Sequence, residues 1–376
     1  MSQRLCTRIV NEIEQHGPIG LDHYMRMALY EPGLGYYSNG LLKFGADGDF
    51  VTAPEQGRLF AKSLAGIVMV VANRLNTGFD VLELGPGSGV LARDLLMTLN
   101  PLPERYLMLE TSATLRQVQQ ETLAALPAPV AQRVEWIDQP PASGFSGVIV
   151  GNEVIDALPV CSFEVQADGL MERAVALDAS RFGWQLRPPS DRLASAYQKL
   201  STDLDEPLPN GYCSEICVDL PDWFGSVTQS LDQGLVLMID YGYPRREYYH
   251  PDRTEGTLVC HYRHRAHFDP LAWPGLNDIS AFVDFTAVAE TAQQCGLEIE
   301  GFTSQAGFVV GSGVGDTLEQ IADESERLRL SGEFKRLVLP GEMGEKFKVM
   351  ALVREIGGKP ALSPVAFALS DQMGRL

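Results

Sequence analysis

The sequence predicts an α/β protein whose core is a parallel sheet covered by helices on both faces. From Phe79 onward, short apolar runs alternate with segments in which apolar residues recur at helical spacing, an order typical of β-α-β units. The first apolar run passes through a loop with three glycines, Gly85, Gly87 and Gly89, into a helical pattern. A strand that turns into a helix through glycines presents backbone N–H groups to a ligand. This stretch therefore predicts both the fold class and the place where a ligand is held.

The core elements follow one another regularly along the chain. Helices are predicted at 90–99, 112–126, 284–296 and, with a polar composition, 317–330. Strands are predicted at 80–84, 106–110, 134–137, 147–152, 235–241, 297–311 and 346–354. The early part of this series has the β-α-β-α order expected of a parallel sheet.

Two regions depart from this rhythm and set the predicted domain organisation. Helices at 5–15, 21–29 and 58–75, joined by loops rich in glycine, proline and aromatic residues, form an N-terminal leader. Strands at 162–166, 171–177 and 182–187, followed by a helix at 192–204, form a β-rich insertion. We therefore predict a leader at 1–75, a ligand-binding core at 76–160 and 221–356, an insertion at 161–220 and a loose tail at 357–376.

Composition narrows the class of protein. The chain has 376 residues, 45% hydrophobic and 21% charged, as in ordinary globular proteins. A net charge of −19, with no cluster of basic residues that could form a patch, repels phosphate backbones and argues against a nucleic-acid partner. No signal peptide or apolar run long enough to span a bilayer stands out. Six scattered cysteines favour reduced thiols in a cytoplasmic protein.

The glycine loop is compatible with two classes of cofactor. Dinucleotide-binding loops have the spacing Gly-x-Gly-x-x-Gly, but here the third glycine comes one residue early. Glu83 also lies two residues before the first glycine. A carboxylate there repels a pyrophosphate but can bind an ammonium group. S-adenosylmethionine carries an ammonium, a carboxylate and a sulfonium and no phosphate, so the loop favours it.

Two further strand ends supply candidate contacts to the cofactor. The second strand ends in Glu110, where a carboxylate can accept hydrogen bonds from both ribose hydroxyls; the alternative is a capping partner of Ser112. The third strand ends in Ile137 and Asp138, which can pack on the adenine ring and accept from its amino group. For Asp138 an exposed turn before two prolines is an equally good interpretation.

The fourth strand ends in a group of polar residues with possible chemistry. Asn152 and Glu153 close the strand, and Asp156 follows three residues after Glu153, so the two carboxylates share a face if the turn is helical. Paired carboxylates can orient a guanidinium, which stays protonated in proteins, and can receive its proton. The alternative is that Asn152 caps the turn and Glu153 complements its dipole. Asp240, at the end of the fifth strand, is either a site residue or a structural aspartate.

Motifs across the chain resemble the MidA-like family of class I methyltransferases. In the core, these motifs are Glu-Leu-Gly-Pro-Gly-Ser-Gly (83–89), Asn-Glu-Val-Ile-Asp-Ala-Leu-Pro (152–159) and Ile-Asp-Tyr-Gly (239–242). The leader adds Tyr-Glu-Pro-Gly-Leu-Gly-Tyr-Tyr (30–37) and Gly-Asp-Phe-Val-Thr-Ala-Pro-Glu (48–55), and two more motifs lie at 269–279 and 339–349. The resemblance runs from about residue 16 to 354. The family includes the mitochondrial complex I assembly factor that methylates an arginine.

The resemblance implies a Rossmann-like, seven-stranded methyltransferase sheet whose last strand is antiparallel, with S-adenosylmethionine as methyl donor. It implies an arginine-bearing protein as acceptor, with a respiratory-complex subunit as one candidate. One position departs from the family, because Phe282 stands where a histidine is expected. We therefore expect a protein-arginine methyltransferase, the alternatives being a small-molecule methyltransferase and an assembly factor that binds cofactor without turnover.

These arguments assign candidate roles to individual residues. We expect Glu153 and Asp156 to orient the acceptor, with Asp49 and Glu55 of the leader as weaker catalytic candidates. No metal is expected, since the Cys260–His267 run carries two arginines and lies in a predicted loop rather than in a frame of converging ligands. The residues expected to bind the cofactor are Glu83, Gly85, Pro86, Gly87, Gly89, Glu110, Ile137, Asp138 and Asn152.

Overall fold

The computed structural model describes residues 2–40, 52–75, 78–179, 181–263, 265–356 and 366–376. The chain divides into two compact units. Unit 1 comprises Met1–Phe50, Ile155–Asp222 and Tyr243–Asp284, and unit 2 comprises Val51–Val154, Trp223–Gly242 and Phe285–Leu376. The helix at 58–75, which the sequence analysis joined to the leader, belongs to unit 2.

Unit 2 is built on a mixed sheet. Seven of its strands, in chain order, are β1 (Asp80–Leu84), β2 (Tyr106–Leu109), β3 (Val134–Ile137), β4 (Phe145–Asn152), β5 (Leu231–Tyr243), β6 (Glu298–Ser304) and β7 (Phe347–Arg354). They lie in the order β3-β2-β1-β4-β5-β7-β6. The first five pair in parallel, and β7 is antiparallel to both β5 and β6. The sheet expected from the resemblance is therefore confirmed, and its strand order reverses between β1 and β4, where open α/β sheets bind ligands.

Helices flank this sheet, and several of them bury apolar residues on one side. The helix Arg58–Leu75 buries eleven residues, among them Leu64, Val68 and Val71, in the same core cluster as Val81 of β1. The other α-helices assigned to this part of the chain are Val90–Leu96, Ala113–Leu123, Ala128–Ala131, Leu220–Thr228, Phe285–Gln294, Gln305–Gly311 and Glu324–Val338. Within the described ranges, no helix is both long and apolar enough to cross a bilayer.

Unit 1 combines N-terminal helices with antiparallel sheets. The helix Ser2–His16 buries Leu5, Ile9 and Ile13, which recur every four residues on one face. The helix Leu21–Met25 continues as a π-helical turn at Arg26–Tyr30, and Asp191–Asp203 and Arg245–Tyr248 are also helical. A five-stranded antiparallel sheet contains Ile19–Gly20, Cys161–Gln166, Gly169–Asp178, Arg181–Arg187 and Cys213–Ile216. A smaller sheet contains Val259–Tyr262, Arg265–His267 and Asp278–Ser280.

Two late elements of unit 2 differ from the sequence prediction. The strand predicted over 297–311 stops at Ser304, whose hydroxyl accepts a hydrogen bond from the N–H of Gly307 and so caps the helix Gln305–Gly311. The polar helix predicted over 317–330 is a 3₁₀ helix, Val314–Gln320, followed by the helix Glu324–Val338. The second helix begins where the Asp323 carboxylate accepts from the N–H of Glu326. In both places a capping side chain, which apolar periodicity does not reveal, sets the boundary.

The described end of the chain is packed, whereas the sequence predicted a loose tail. Phe367 is fully buried, and its ring lies 5.5 Å from that of Phe308. A Cβ at Gly301 would come within 2.5 Å of the Phe367 ring, so the glycine provides room for it. The N–H of Gln372 also donates to the carbonyl of Phe302 on β6 at 2.7 Å. Residues 366–376 therefore close one side of the unit 2 core.

We predict that Phe367→Ala lowers the free energy of unfolding by about 3 kcal/mol, because it leaves a cavity in a core made of rigid elements. Leu369→Ala is the matched control: its side chain is 70% exposed, so a change below about 0.5 kcal/mol is expected. Urea unfolding of the two variants measures the difference. Equal midpoints for the two variants would show that the end of the chain contributes nothing to the core.

Candidate functional site

The loop between β1 and the following helix is a turn that only glycines enter without strain. Gly85, Gly87 and Gly89 have φ values of 57°, 54° and 80°, in the left-handed region that side chains disfavour. Space is also short, since a Cβ at Gly85 would lie 2.9 Å from Val154. The three glycines and Pro86 thus hold bare main chain at the carboxyl end of β1, where the strand order reverses.

Glu83 lies within β1 and is only 3% exposed. The hydroxyl of Tyr106, on the neighbouring strand β2, donates a hydrogen bond to its Oε2 at 2.7 Å. Burial raises the pKa of Glu83 to about 8, and the Tyr106 hydrogen bond offsets this only in part. A cation beside this carboxyl group, such as an ammonium group, would favour its ionised form.

Glu110 follows the last residue of β2 and is held on both carboxylate oxygens. Its Oε1 accepts from the N–H of Ser112 at 2.7 Å, and its Oε2 accepts from Nε2 of Gln119 at 3.1 Å. Ser112 is itself the N-cap of the helix Ala113–Leu123. Burial raises the pKa of Glu110, although these hydrogen bonds act against the rise. The capping contact considered in the sequence analysis exists, and each oxygen keeps a further lone pair for a ribose hydroxyl.

The end of β3 is more open to solvent. Ile137 is half-buried and Asp138 is exposed. Trp136, one residue before Ile137, is half-buried, and its indole N–H donates to Oε1 of Gln119 at 2.9 Å. An exposed carboxylate beside a half-buried apolar side chain is compatible with the edge and face of an adenine ring, and equally with a surface turn.

The end of β4 places a polar amide and a carboxylate next to each other in unit 2. The amide nitrogen of Asn152 donates to Oε1 of Glu153 at 3.0 Å. The amide oxygen of Asn152 is buried and has no hydrogen-bond partner among the described residues. Glu153 has φ of 54°, and its N–H donates to the carbonyl of Ile239 on β5 at 2.8 Å. The sheet hydrogen bond thus holds Glu153 in a left-handed conformation that side chains avoid, as often occurs at functional positions.

The turn after β4 is not helical, which corrects one sequence expectation. Residues 153–158 form bends and a turn rather than a helix, so the face that residues i and i+3 share on a helix does not form. Asp156 belongs to unit 1, where it is 6% exposed and its carbonyl accepts from the N–H of Ala281 at 3.0 Å. The hydroxyl of Tyr30 donates to the next carbonyl, that of Ala157, at 2.7 Å. Asp156 is therefore held by main-chain contacts rather than by a helix.

Of the two leader candidates, one can be placed. Glu55 lies in the short 3₁₀ helix Pro54–Gln56, and its carboxylate accepts a hydrogen bond from the hydroxyl of Ser88 in the glycine loop. Glu55 is thus a neighbour of the cofactor loop within unit 2. Asp49 lies outside the described residues.

The sequence analysis missed Gln119, the residue that connects several of these groups. Its amide contacts Gly87, Glu110 and Trp136, and it is fully buried. A signal was present: Gln119 lies midway between Leu115 and Leu123, which are buried on one face of the helix. A polar residue in an apolar stripe needs buried partners, and those partners lie on other elements.

The described residues also bear on a metal site and on Phe282. Among the described residues, no group of three or more His, Cys, Asp or Glu side chains could hold a metal ion. Phe282, where the family is expected to have histidine, packs on Tyr243 at 5.7 Å between ring centroids, and its N–H donates to the hydroxyl of Thr257.

The raised pKa of Glu83 predicts a pH-dependent stability. The folded chain keeps this proton up to about pH 8, whereas an unfolded glutamate releases it near pH 4.3. The folded state therefore binds more protons between these values, and its stability falls as pH rises through that window. Glu83→Gln removes this dependence, so its unfolding midpoint falls less than that of the original chain between about pH 5 and pH 8. Glu135→Gln, at an exposed position of β3, is the control, and identical pH profiles for all three proteins would contradict the prediction.

Two solved structures are similar to this chain over its whole length. A structure from Burkholderia thailandensis, described as a "likely methyl transferase" bound to S-adenosyl-homocysteine, is 40% identical with a TM-score of 0.91, and the match covers 100% of this chain and 97% of that one. A native structure from the same organism is 39% identical with a TM-score of 0.89, over the same shares of the two chains. Unlike the dinucleotides considered above, S-adenosyl-homocysteine has no phosphate.

The residues described above fit S-adenosylmethionine. The glycine loop offers main chain without side chains, Glu83 offers a buried carboxyl group for a cation, and Glu110 offers a fixed carboxylate for the ribose. The amide oxygen of Asn152 is a buried acceptor that still needs a donor. S-adenosylmethionine is thus the cofactor.

Known proteins are similar to this chain over most of its length. The protein arginine methyltransferase NDUFAF7 homolog of Drosophila melanogaster is 30% identical, over 93% of this chain and 84% of its own length. The human protein arginine methyltransferase NDUFAF7 is 27% identical, over 93% and 83%. A family described as "Putative S-adenosyl-L-methionine-dependent methyltransferase" matches residues 62–303. The glycine loop, the strand order and these matches together place the chain in that family of S-adenosyl-L-methionine-dependent methyltransferases.

Proposed function

We propose that this protein transfers the methyl group of S-adenosylmethionine to an arginine side chain of a partner protein. The observation that carries this proposal is the extent of the similarity to proteins named as protein arginine methyltransferases. It covers 93% of the chain for the fly and human relatives, so it extends well beyond the cofactor loop. Relatives that shared only a cofactor and not an acceptor would need to resemble one another only around that loop.

The chemistry requires a group that binds and deprotonates a guanidinium. The cofactor supplies a methyl group on a positively charged sulfur. In the transfer, an arginine nitrogen forms the new N–C bond as the S–C bond breaks, and the nitrogen gives up a proton. Arginine stays protonated in proteins, so a carboxylate must orient it and accept that proton. Positioning and electrostatics can supply the rest of the rate.

Glu153 and Asp156 are the carboxylates that we assign to the acceptor. Glu153 is half-buried in unit 2, with its backbone held by β5 and one oxygen held by Asn152. Asp156 is buried in unit 1. Glu55, whose carboxylate accepts a hydrogen bond from the Ser88 hydroxyl, is assigned to the cofactor loop. A catalytic role for Glu55 or for Asp49 is the weaker proposal.

We assign the cofactor contacts to the groups around the end of β1. Glu83 takes the ammonium group, the loop of Gly85, Pro86, Gly87 and Gly89 takes the amino-acid portion, and Glu110 takes the ribose. Ile137 and Asp138 take the adenine, and Asn152 accepts from one of the cofactor's donors.

The protein partner is proposed on the resemblance alone. A subunit of a respiratory complex is the first acceptor to test, and the cytoplasm is the expected compartment. All six cysteines lie in the described residues and are free thiols, which agrees with a reducing compartment.

Labelled methyl transfer tests the proposal. The purified protein is incubated with S-adenosylmethionine labelled in the methyl group and a cell extract, and labelled residues are mapped by mass spectrometry. Label on arginine of a protein is the expected result. Label only on small molecules would reject the protein acceptor in favour of a small-molecule methyltransferase. Cofactor binding in a calorimeter without any transfer would favour the non-catalytic assembly factor.

We predict that Glu153→Gln and Asp156→Asn each lower kcat by about 100-fold or more, since general-base and orienting groups contribute roughly 10²–10⁴ in rate. Binding of S-adenosyl-homocysteine should change little, because neither residue is assigned to the cofactor. Asp168→Asn, at an exposed turn of the insertion sheet, serves as control. Full activity in both acceptor variants would remove these residues from the mechanism.

A further inference from the structure

We propose that Gln119 is a positioning residue for the cofactor, holding the glycine loop, Glu110 and the end of β3 in one arrangement. It needs no contact with the cofactor itself, since it acts through the groups that it holds. The proposal depends on the cofactor and not on the acceptor, so it stands whether or not arginine is the substrate.

The hydrogen bonds of Gln119 are directional and use both ends of the amide. The indole N–H of Trp136 donates to Oε1 at 2.9 Å. Because Oε1 must face this donor, Nε2 points the other way, where it donates to the carbonyl of Gly87 at 3.0 Å and to Oε2 of Glu110 at 3.1 Å. Trp136 thus determines the orientation of the amide. A fully buried amide with this many partners in three different segments has one allowed position.

The contact with Glu110 decides what that carboxylate can offer a ribose. The Ser112 N–H and Gln119 Nε2 each occupy one oxygen, and together they set the plane of the carboxylate. The remaining lone pairs then point in directions that do not depend on the ligand. These two donors also favour the ionised form, against the rise in pKa that burial causes. Without Gln119, Glu110 would lose one of the donors that keep it charged and oriented.

The contact with Gly87 acts on the loop. Within the loop, the N–H of Gly89 donates to the carbonyl of Pro86 at 2.8 Å, and Gln119 adds a side-chain bond to the carbonyl of Gly87. Gln119 also approaches it with its main chain, because a Cβ at Gly89 would lie 3.3 Å from Cα and Cβ of Gln119. Backbone packing at Gly89 and the side-chain bond at Gly87 together hold the loop against the helix Ala113–Leu123.

A binding cycle with two ligands separates positioning from general stability. The ligands are S-adenosyl-homocysteine and its 2′-deoxy analogue, and Gln119→Met keeps the side-chain length while removing the amide. We expect Gln119→Met to raise the Kd for S-adenosyl-homocysteine by about 10- to 100-fold, as measured by calorimetry. In the original chain, loss of the 2′-hydroxyl should also weaken binding strongly. In Gln119→Met, loss of the 2′-hydroxyl should raise Kd far less, because Glu110 is no longer oriented toward the ribose.

Two further variants serve as controls. Gln117→Met lies on the same helix at an exposed position, where the amide donates to Glu121, and it should bind both ligands like the original chain. Trp136→Phe removes the donor that orients the Gln119 amide and should give an intermediate loss of ribose discrimination. This variant keeps the test decisive if Gln119→Met does not fold.

The outcomes are distinct. If Gln119→Met, or Trp136→Phe in its place, discriminates between the two ligands as strongly as the original chain does, the proposal is overturned. A lower melting temperature with unchanged ligand discrimination would show a purely structural amide and reject it as well. Loss of discrimination in both variants, with Gln117→Met unaffected, supports it. None of these readouts involves methyl transfer, so failure of the arginine proposal would leave them unchanged.

Discussion

The left-handed turn that ends β1 is the constraint on which the rest of unit 2 depends. Three residues in a row of five have φ between 54° and 80°, and only glycine adopts such angles without strain. The turn occurs where the strand order reverses, so no neighbouring crossover covers it. The turn leaves bare main chain at the carboxyl end of β1. The side chains around it come from the helix Ala113–Leu123, from Glu55 and from the end of β4.

Buried carboxyl groups are the second feature of this region. Glu83 and Glu110 are each at most 7% exposed, and burial raises the pKa of both. A buried acid without a cation is costly to the free energy of folding. In the proposed assignment, the ammonium group of the cofactor pairs with Glu83 and its ribose hydroxyls donate to Glu110, which links this cost to the function.

How far the sequence predicts the molecule depends on the range of the interaction involved. The bounds of β1 and β3 and of the helix Arg58–Leu75 were predicted residue for residue, because apolar periodicity is a local property. The boundary at Ser304 and the course of residues 366–376 were missed, since a cap and the burial of Phe367 depend on contacts that periodicity does not encode. The sequence left open whether the turn after Asn152 is helical, and a hydrogen bond from Glu153 to β5, more than eighty residues away in the chain, holds Glu153 left-handed.

By itself, the sequence determined the fold class, the glycine loop and the class of cofactor, because glycine spacing and the acid before it are chemical facts about adjacent residues. Only the tertiary structure decided which groups surround the loop. Gln119 connects Gly87, Glu110 and Trp136 across separations of 9 to 32 residues, and Tyr106 reaches Glu83 across a strand pair. Such partners become neighbours only when parallel strands align their ends, and no local pattern records which side chains will then meet.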